Sequence, residues 1–280
     1  MIKDILVHIP TERAMRPVID ASISLAQGFG AHLDALAIGY VSSSTAYVMD
    51  GSAAAAVAAV FEMEQEKATD RATTALSVFE TEARHAGISY ECRSRADMPG
   101  DAAASIAATS RLYDLAVVSQ PQTDLQTYDN TIATEMLFQA GGPVLFVPHI
   151  FRGSFRPKRI GVCWDGSRLA ARALKDAKPF LAQADALCAI SINGAESFPG
   201  DASSKGLAKH LARVGLPIKL IELPASRSEI QPYILSIAAD EGLDMLVMGA
   251  YGHSRLQEGI LGGVTRAMLP TMTVPTLMSH

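Results

Sequence analysis

A long-period internal repeat constrains this chain more than any single motif, because it sets the architecture before individual elements are assigned. Ile5-Leu6-Val7-His8-Ile9 matches Ile160-Gly161-Val162-Cys163-Trp164, and each run leads through a polar turn into an Ala- and Leu-rich helical stretch. A helix over 14–28 and a strand over 33–40 in the first half correspond to a helix over 168–182 and a strand over 186–192 in the second. Farther on, Asp114-Leu115-Ala116-Val117-Val118 matches Asp244-Met245-Leu246-Val247-Met248, after helical stretches at 100–111 and 228–241. Both halves end on a strand opened by proline, Pro143-Val144-Leu145-Phe146-Val147 and Pro275-Thr276-Leu277-Met278. Proline is tolerated there because a strand's first residue can do without a ladder hydrogen bond.

Apolar strand runs alternating with helices of ten or more residues indicate parallel strands covered on both faces. The predicted fold class is therefore α/β, two tandem open parallel-sheet domains of Rossmann-like type, residues 1–150 and 151–280, each with its own sheet and related by a pseudo-two-fold axis. A chain of 280 residues suits two such domains, since a single core rarely grows that large. The final strands, 143–147 and 275–278, are expected near the contact between the halves or between subunits. The halves differ most between their second and third strands, where a long helix from about Ser52 to His85 contrasts with a shorter one from Ser203 to Val214. Ser52 is the expected N-cap of the longer helix, and the run Ala53 to Val60 is either a close-approach face for another helix or a plain covering face.

Composition excludes several classes. Net charge is -5, Lys and Arg are scattered, and the one basic knot, Arg152, Arg156, Lys158 and Arg159, reads as a solvated linker, so nucleic acid is not an expected partner. Three widely spaced cysteines without C-x-x-C argue against a disulfide framework or zinc cluster and fit a reducing compartment. The N-terminus enters a strand-like run directly and the longest apolar run, Ala53 to Phe61, is too short to span a membrane, so a cytoplasmic protein without a membrane partner is expected. The remaining histidines show no H-E-x-x-H or similar ligand spacing, and no metal site is expected; His8 reads as a satisfied, partly buried strand residue.

The chemistry-bearing segment follows the strand ending at Met248. Gly249, Gly252 and Gly262 stand at G-x2-G-x9-G, a spacing that lets backbone N–H groups approach an anion at a strand's carboxyl end and then opens a helix toward the same anion at Gly263-Val264-Thr265. Asp165, followed by Gly166-Ser167, ends the first strand of this half and reaches the same edge, where open α/β sheets bind ligands. His253, Ser254 and Arg255 lie inside the loop, where phosphate contact and simple solvation are both open readings. The Ser254 context lacks the second glycine of a hydrolase elbow, and neither a P-loop nor a dinucleotide G-x-G-x-x-G is present.

The tandem repeat, the strand ending Trp164-Asp165-Gly166-Ser167 and the glycine spacing together resemble the universal stress protein family, whose domains have an adenine nucleotide alpha-hydrolase-like fold. The resemblance implies that ATP or another adenine nucleotide, with or without Mg2+, binds at Asp165, Gly249, Gly252, Gly262 and their neighbours. The acid would meet adenine, and the loop the ribose and phosphates. It also implies a pseudo-dimeric chain or a homodimer, acting in stress response or signalling. The sequence departs from the pattern at Gly263, where the family has Ser or Thr; Thr265, two residues on, offers a hydroxyl or is an ordinary first-turn residue. The first half has Pro10-Thr11 in place of the acid and Ser119-Gln120-Pro121-Gln122 in place of the first glycines, so its copy of the site is expected to be lost. No base stands near the loop, so binding without classical turnover ranks above a slow ATPase or autokinase and above a dimeric scaffold that binds no nucleotide.

Overall fold

A computed structural model describes residues 1–41, 54–193, 202–250 and 263–280. The first half runs β1 (Asp4–Ile9), α1 (Arg16–Phe29), β2 (His32–Tyr40), α2 (Ala54–Ala86), β3 (Tyr90–Asp97), α3 (Pro99–Ser110), β4 (Leu115–Ser119), α4 (Asp129–Gln139) and β5 (Val144–Val147). The second runs β6 (Arg159–Cys163), α5 (Arg168–Asp176), α6 (Lys178–Leu181), β7 (Ala186–Ile192), α7 (Ser204–Arg213), β8 (Lys219–Leu223), α8 (Ile230–Asp240), β9 (Met245–Gly249), α9 (Val264–Thr271) and β10 (Thr276–Ser279). The expected helix over 168–182 is broken at Ala177, because Pro179 has no N–H with which to continue the ladder. The expected cap Ser52 lies outside the described residues; in α2 the described part of the Ala-rich run, Ala58 and Ala59, is exposed.

Central strands are the apolar runs of the repeat: β1 is buried from Ile5 to Ile9, and β4 and β5 along their whole lengths. Burial on both faces removes the alternation of a half-buried strand and leaves continuous Val, Ile and Leu. The strands form one ten-stranded sheet in the order β3-β2-β1-β4-β5-β10-β9-β6-β7-β8. This corrects the expectation of a separate sheet for each half. All neighbours are parallel except β5 and β10, which pair antiparallel and fuse the two open sheets edge to edge.

The fusion is self-complementary. Leu145 faces Leu277, its own counterpart in the repeat, and Thr276 faces Phe146 as Met278 faces Val144. Equivalent residues exchange partners about a local two-fold axis, as at the isologous interface of a dimer. Pairing removes what would otherwise be two exposed sheet edges at Val144–Val147 and Thr276–Ser279. Gln120 Nε2 donates to Met272 O (3.3 Å) and Arg172 donates to Gly141 O (2.9 Å) across the same seam.

Helices cover both faces, and each face has one apolar core running through both halves. Ile5, Val7, Phe79, Ile160, Val162 and Phe180 belong to the layer under α1, α2, α5, α6 and α7. Leu6, Ile106, Met136, Leu246, Ile237 and Met268 belong to the layer under α3, α4, α8 and α9. No helix among the described residues is long and apolar enough to cross a membrane.

Candidate functional site

In each half the chain builds its sheet outward from the first strand, then returns to the other side of it. The reversal falls between β6 and β9 in the second half and between β1 and β4 in the first. A crevice outside the carboxyl ends of the strands opens at such a reversal, because the flanking loops diverge to opposite faces.

Asp165 and Gly249 flank the crevice of the second half. Asp165 is exposed just beyond β6, and its Oδ1 accepts the Ser167 N–H (2.9 Å), which holds the carboxylate at the strand exit while Oδ2 stays in solvent. Ser167 then caps α5, its hydroxyl accepting the Ala170 N–H (3.1 Å). Cys163, one residue before Trp164, has its thiol pushed up to about 12 by burial, with Asp165 and Cys188 adding to the effect, so it stays protonated and is no nucleophile. Trp164 packs beside this exit and donates from Nε1 to Ala202 O (2.9 Å).

Gly249 has a structural duty that the spacing alone did not reveal. A Cβ built there would lie 2.6 Å from the backbone of Leu169 and Ala170, so the glycine lets the first turn of α5 rest against the end of β9. It thereby sets the distance between the two walls of the crevice. Beyond it, Ala250 donates to Ser279 O (2.9 Å) and its carbonyl meets the His280 ring at 2.9 Å.

Gly252, His253, Ser254, Arg255 and Gly262 lie outside the described residues. Gly263 is the N-cap of α9 in ordinary extended backbone, φ -73° and ψ 152°, and being a glycine it has no side chain with which to cap that helix. Val264 follows, half-buried, and Thr265 is buried at 6% exposure in the first turn. What the second half offers at its reversal is an exposed carboxylate, a closely packed glycine and the N-terminus of α9.

The first half has none of these, and sequence reading missed what replaces them. Its fourth helix, α4, begins at Asp129, which is fully buried. Tyr40 at the end of β2 donates its hydroxyl to Asp129 Oδ1 (2.8 Å), and the Glu12 N–H beyond β1 donates to Oδ2 (3.0 Å). Arg13 reaches into the same space, donating to Gln120 O, to Ser119 O and Asp129 O (both 3.3 Å) and to Asn130 Oδ1 (3.3 Å). His8 is buried in β1 with Nε2 3.8 Å from Asp129 Oδ1, and neither ring nitrogen has a hydrogen-bond partner. This overturns the expectation of a satisfied, partly buried histidine: burial drives the His8 ring down to about 4, so it stays neutral. His8, Glu12, Arg13, Tyr40 and Asp129 meet only through the fold, so no local spacing announces them.

Residues 157–280 match the family model described as the universal stress protein family. A stretch of 74 residues is 34% identical to a universal stress protein of Methanocaldococcus jannaschii, covering 26% of this chain and 44% of that protein, less than half its length. Among solved structures, the chain is similar to a universal stress protein from Archaeoglobus fulgidus DSM 4304, with a TM-score of 0.73 at 16% identity over 98% of this chain and 97% of that one. It is also similar to a functionally unknown protein from Pseudomonas aeruginosa PAO1, with a TM-score of 0.62 at 17% identity over 99% and 92% of the two chains. At these identities the structural likeness establishes the fold.

Proposed function

We propose, from the match of residues 157–280 to the universal stress protein family, that this half binds an adenine nucleotide, ATP foremost, and works in stress response or signalling without classical turnover. One observation carries the reading: Asp165 and Gly249 flank the sheet reversal on the side where α9 presents its N-terminus, begun by a glycine. The first-turn N–H groups and the positive end of the helix dipole favour a phosphate there. The Asp165 carboxylate, kept exposed by its bond to Ser167, has a free oxygen for an adenine amine or a ribose hydroxyl. Gly249 seats α5 against β9, and glycine at 252 and 262 adds no side chain that a nucleotide would have to displace. Mg2+ enters this reading as counter-ion of the phosphates, with no protein ligand required.

On the same reading residues 1–150 are a degenerate copy and act as the built-in partner of residues 151–280, in the cytoplasm, with no part for nucleic acid. Extraction of small molecules carried through purification, followed by calorimetric titration with ATP and Mg2+, tests the proposal. A single site per chain, lost when Asp165→Ala and Gly252→Val are combined, is the expected result. Two equivalent sites, or binding that survives the double change, sinks it.

A further inference from the structure

The opposite, amino-terminal edge of the first half's sheet carries a cluster that the nucleotide reading does not use. His32 opens β2 and Asp34 lies two residues on, so both side chains leave the same face of the strand. Parallel pairing sets Glu91 of β3 beside Asp34, and Asp4 of β1 beside His32. Ser89 Oγ lies 2.7 Å from His32 Nδ1 and fixes the ring, leaving Nε2 3.4 Å from Asp34 Oδ1. Arg93 (3.0 Å) and the Tyr113 hydroxyl both donate to Asp34 Oδ2 and anchor that carboxylate.

Asp34 Oδ1 is therefore the unfinished part. The residue is only 7% exposed, yet this oxygen is buried without a hydrogen-bond partner and points at the His32 ring. Asp4 Oδ1 is buried and unpartnered as well, and its carboxyl is pushed up by burial and then by the neighbouring Asp34. Buried oxygens of this kind cost free energy unless a proton or cation satisfies them.

We propose that His32 Nε2, Asp34 Oδ1 and the Glu91 carboxylate form a binding site for a divalent transition-metal cation, Zn2+ being the ion that this donor set suits. The donor atoms lie within 4.8 Å of one another. A tetrahedral Zn2+ with bonds of about 2.0–2.1 Å holds adjacent donors about 3.3 Å apart, which the His32–Asp34 separation of 3.4 Å already meets. Glu91 is exposed and closes the remaining gap by rotation, leaving a fourth position for water. Ser89 and Arg93 are the outer partners that hold imidazole and carboxylate in orientation, as metal sites generally require. Sequence inspection for helical ligand spacings passed over this site because its pattern is a strand's i, i+2 pair completed by a residue 57 positions farther on. The ion would tie β2 and β3 together at an otherwise open sheet edge, far from the nucleotide crevice and independent of it.

The test uses the full chain without an affinity tag, stripped with EDTA and titrated with Zn2+ by calorimetry, with Co2+ as an optical probe. One Zn2+ per chain is expected, accompanied by a rise in Tm and by a Co2+ visible spectrum of a four-coordinate site. His32→Ala and Glu91→Gln should each weaken Zn2+ binding by at least about tenfold, while His210→Ala leaves it unchanged. Glu91→Gln alters an exposed side chain and keeps the fold, which far-UV circular dichroism checks. Absence of saturable Zn2+ binding, or an affinity unchanged in Glu91→Gln, overturns the proposal.

Discussion

The two sheet reversals are the same place in a repeated fold, yet one buries its carboxylate and the other exposes it. In the first half the helix after the fourth strand begins with Asp129, whose carboxylate is met by the Tyr40 hydroxyl and the Glu12 N–H. In the second half the corresponding helix begins after Gly263 with no acid in its first turn and no capping side chain at the N-cap position. The first half thus carries, as part of its chain, an anion at the helix N-terminus where the proposed function of the second half seats a phosphate. Arg13 plays the matching role of counter-cation, filling the space that a ligand would need. A domain in a tandem can lose its ligand only if something satisfies the polar groups that the ligand satisfied, since buried unpaired groups are costly.

The sharpest way to break this comparison is to remove the internal anion. Asp129→Ala strands the Tyr40 hydroxyl and the Glu12 amide and leaves Arg13 without its opposing charge, a loss of about 3–5 kcal/mol. Urea unfolding should show it as a large drop in midpoint, and ATP titration of the surviving folded protein should show an unchanged affinity in the second half. If Asp129→Ala unfolds with wild-type stability, the first reversal is not held by this carboxylate.

His8 predicts a pH effect from the same cluster. Its ring titrates near 6.5 when unfolded and is driven to about 4 when folded, chiefly by burial, with Asp129 working against the shift and Arg13 with it. Between these values the unfolded chain binds the extra proton, so stability falls as pH drops from 6.5 toward 4 and is restored above 6.5. The difference is worth about 3 kcal/mol at the lower end. His8→Phe should flatten this part of the stability–pH curve; a slope identical to wild type removes His8 as its source.

How far the sequence spoke for the structure depends on where each residue lies. β1, β4, β6 and β9 are legible because strands covered on both faces read as unbroken apolar runs, and their recurrence exposes the repeat. β3 and β8 are edge strands with half-exposed sequences such as Tyr-Glu-Cys-Arg-Ser-Arg-Ala-Asp, and their charged residues conceal them. The fused sheet is not written locally at all, since β5 and β10 could equally have met a second chain. Asp165 and Gly249 were found as site candidates from spacing, but the contact of Gly249 with α5 needed the third dimension. The same is true of the seal at Asp129, assembled from positions 8, 12, 13, 40 and 129.

Gly249 separates packing from binding. Gly249→Val forces a branched side chain against the backbone of Leu169 and Ala170, so α5 must shift and stability should fall by about 1–3 kcal/mol. Because α5 forms one wall of the crevice, ATP affinity should fall with it, whereas Gly252→Val should cost affinity at near wild-type stability. Equal unfolding midpoints for Gly249→Val and wild type would show that β9 and α5 are not in this contact in solution.

The smallest effect tests the N-terminal end of α9 directly. Gly263 has φ -73° and ψ 152°, nearly the backbone of Ser203 at φ -69° and ψ 162° and of Ser167 at φ -72° and ψ 162°. Serine therefore fits at 263 without strain, and two fates compete for its hydroxyl. Turned inward it accepts an N–H of its own helix, as Ser167 does from Ala170 and Ser203 from Gly206 (both 3.1 Å), which raises stability by only a few tenths of a kcal/mol over glycine. Turned outward it donates to a phosphate, a charge-assisted bond worth about 1–2 kcal/mol, or roughly five- to thirtyfold in affinity. Bound nucleotide favours the second fate, because phosphate oxygens satisfy the helix N–H groups and release the hydroxyl. Gly263→Ser should then tighten ATP binding by that factor in calorimetry while shifting the ligand-free Tm by a degree or so. A higher ligand-free Tm with unchanged ATP affinity means that the hydroxyl caps α9, and that the phosphates do not sit at this helix.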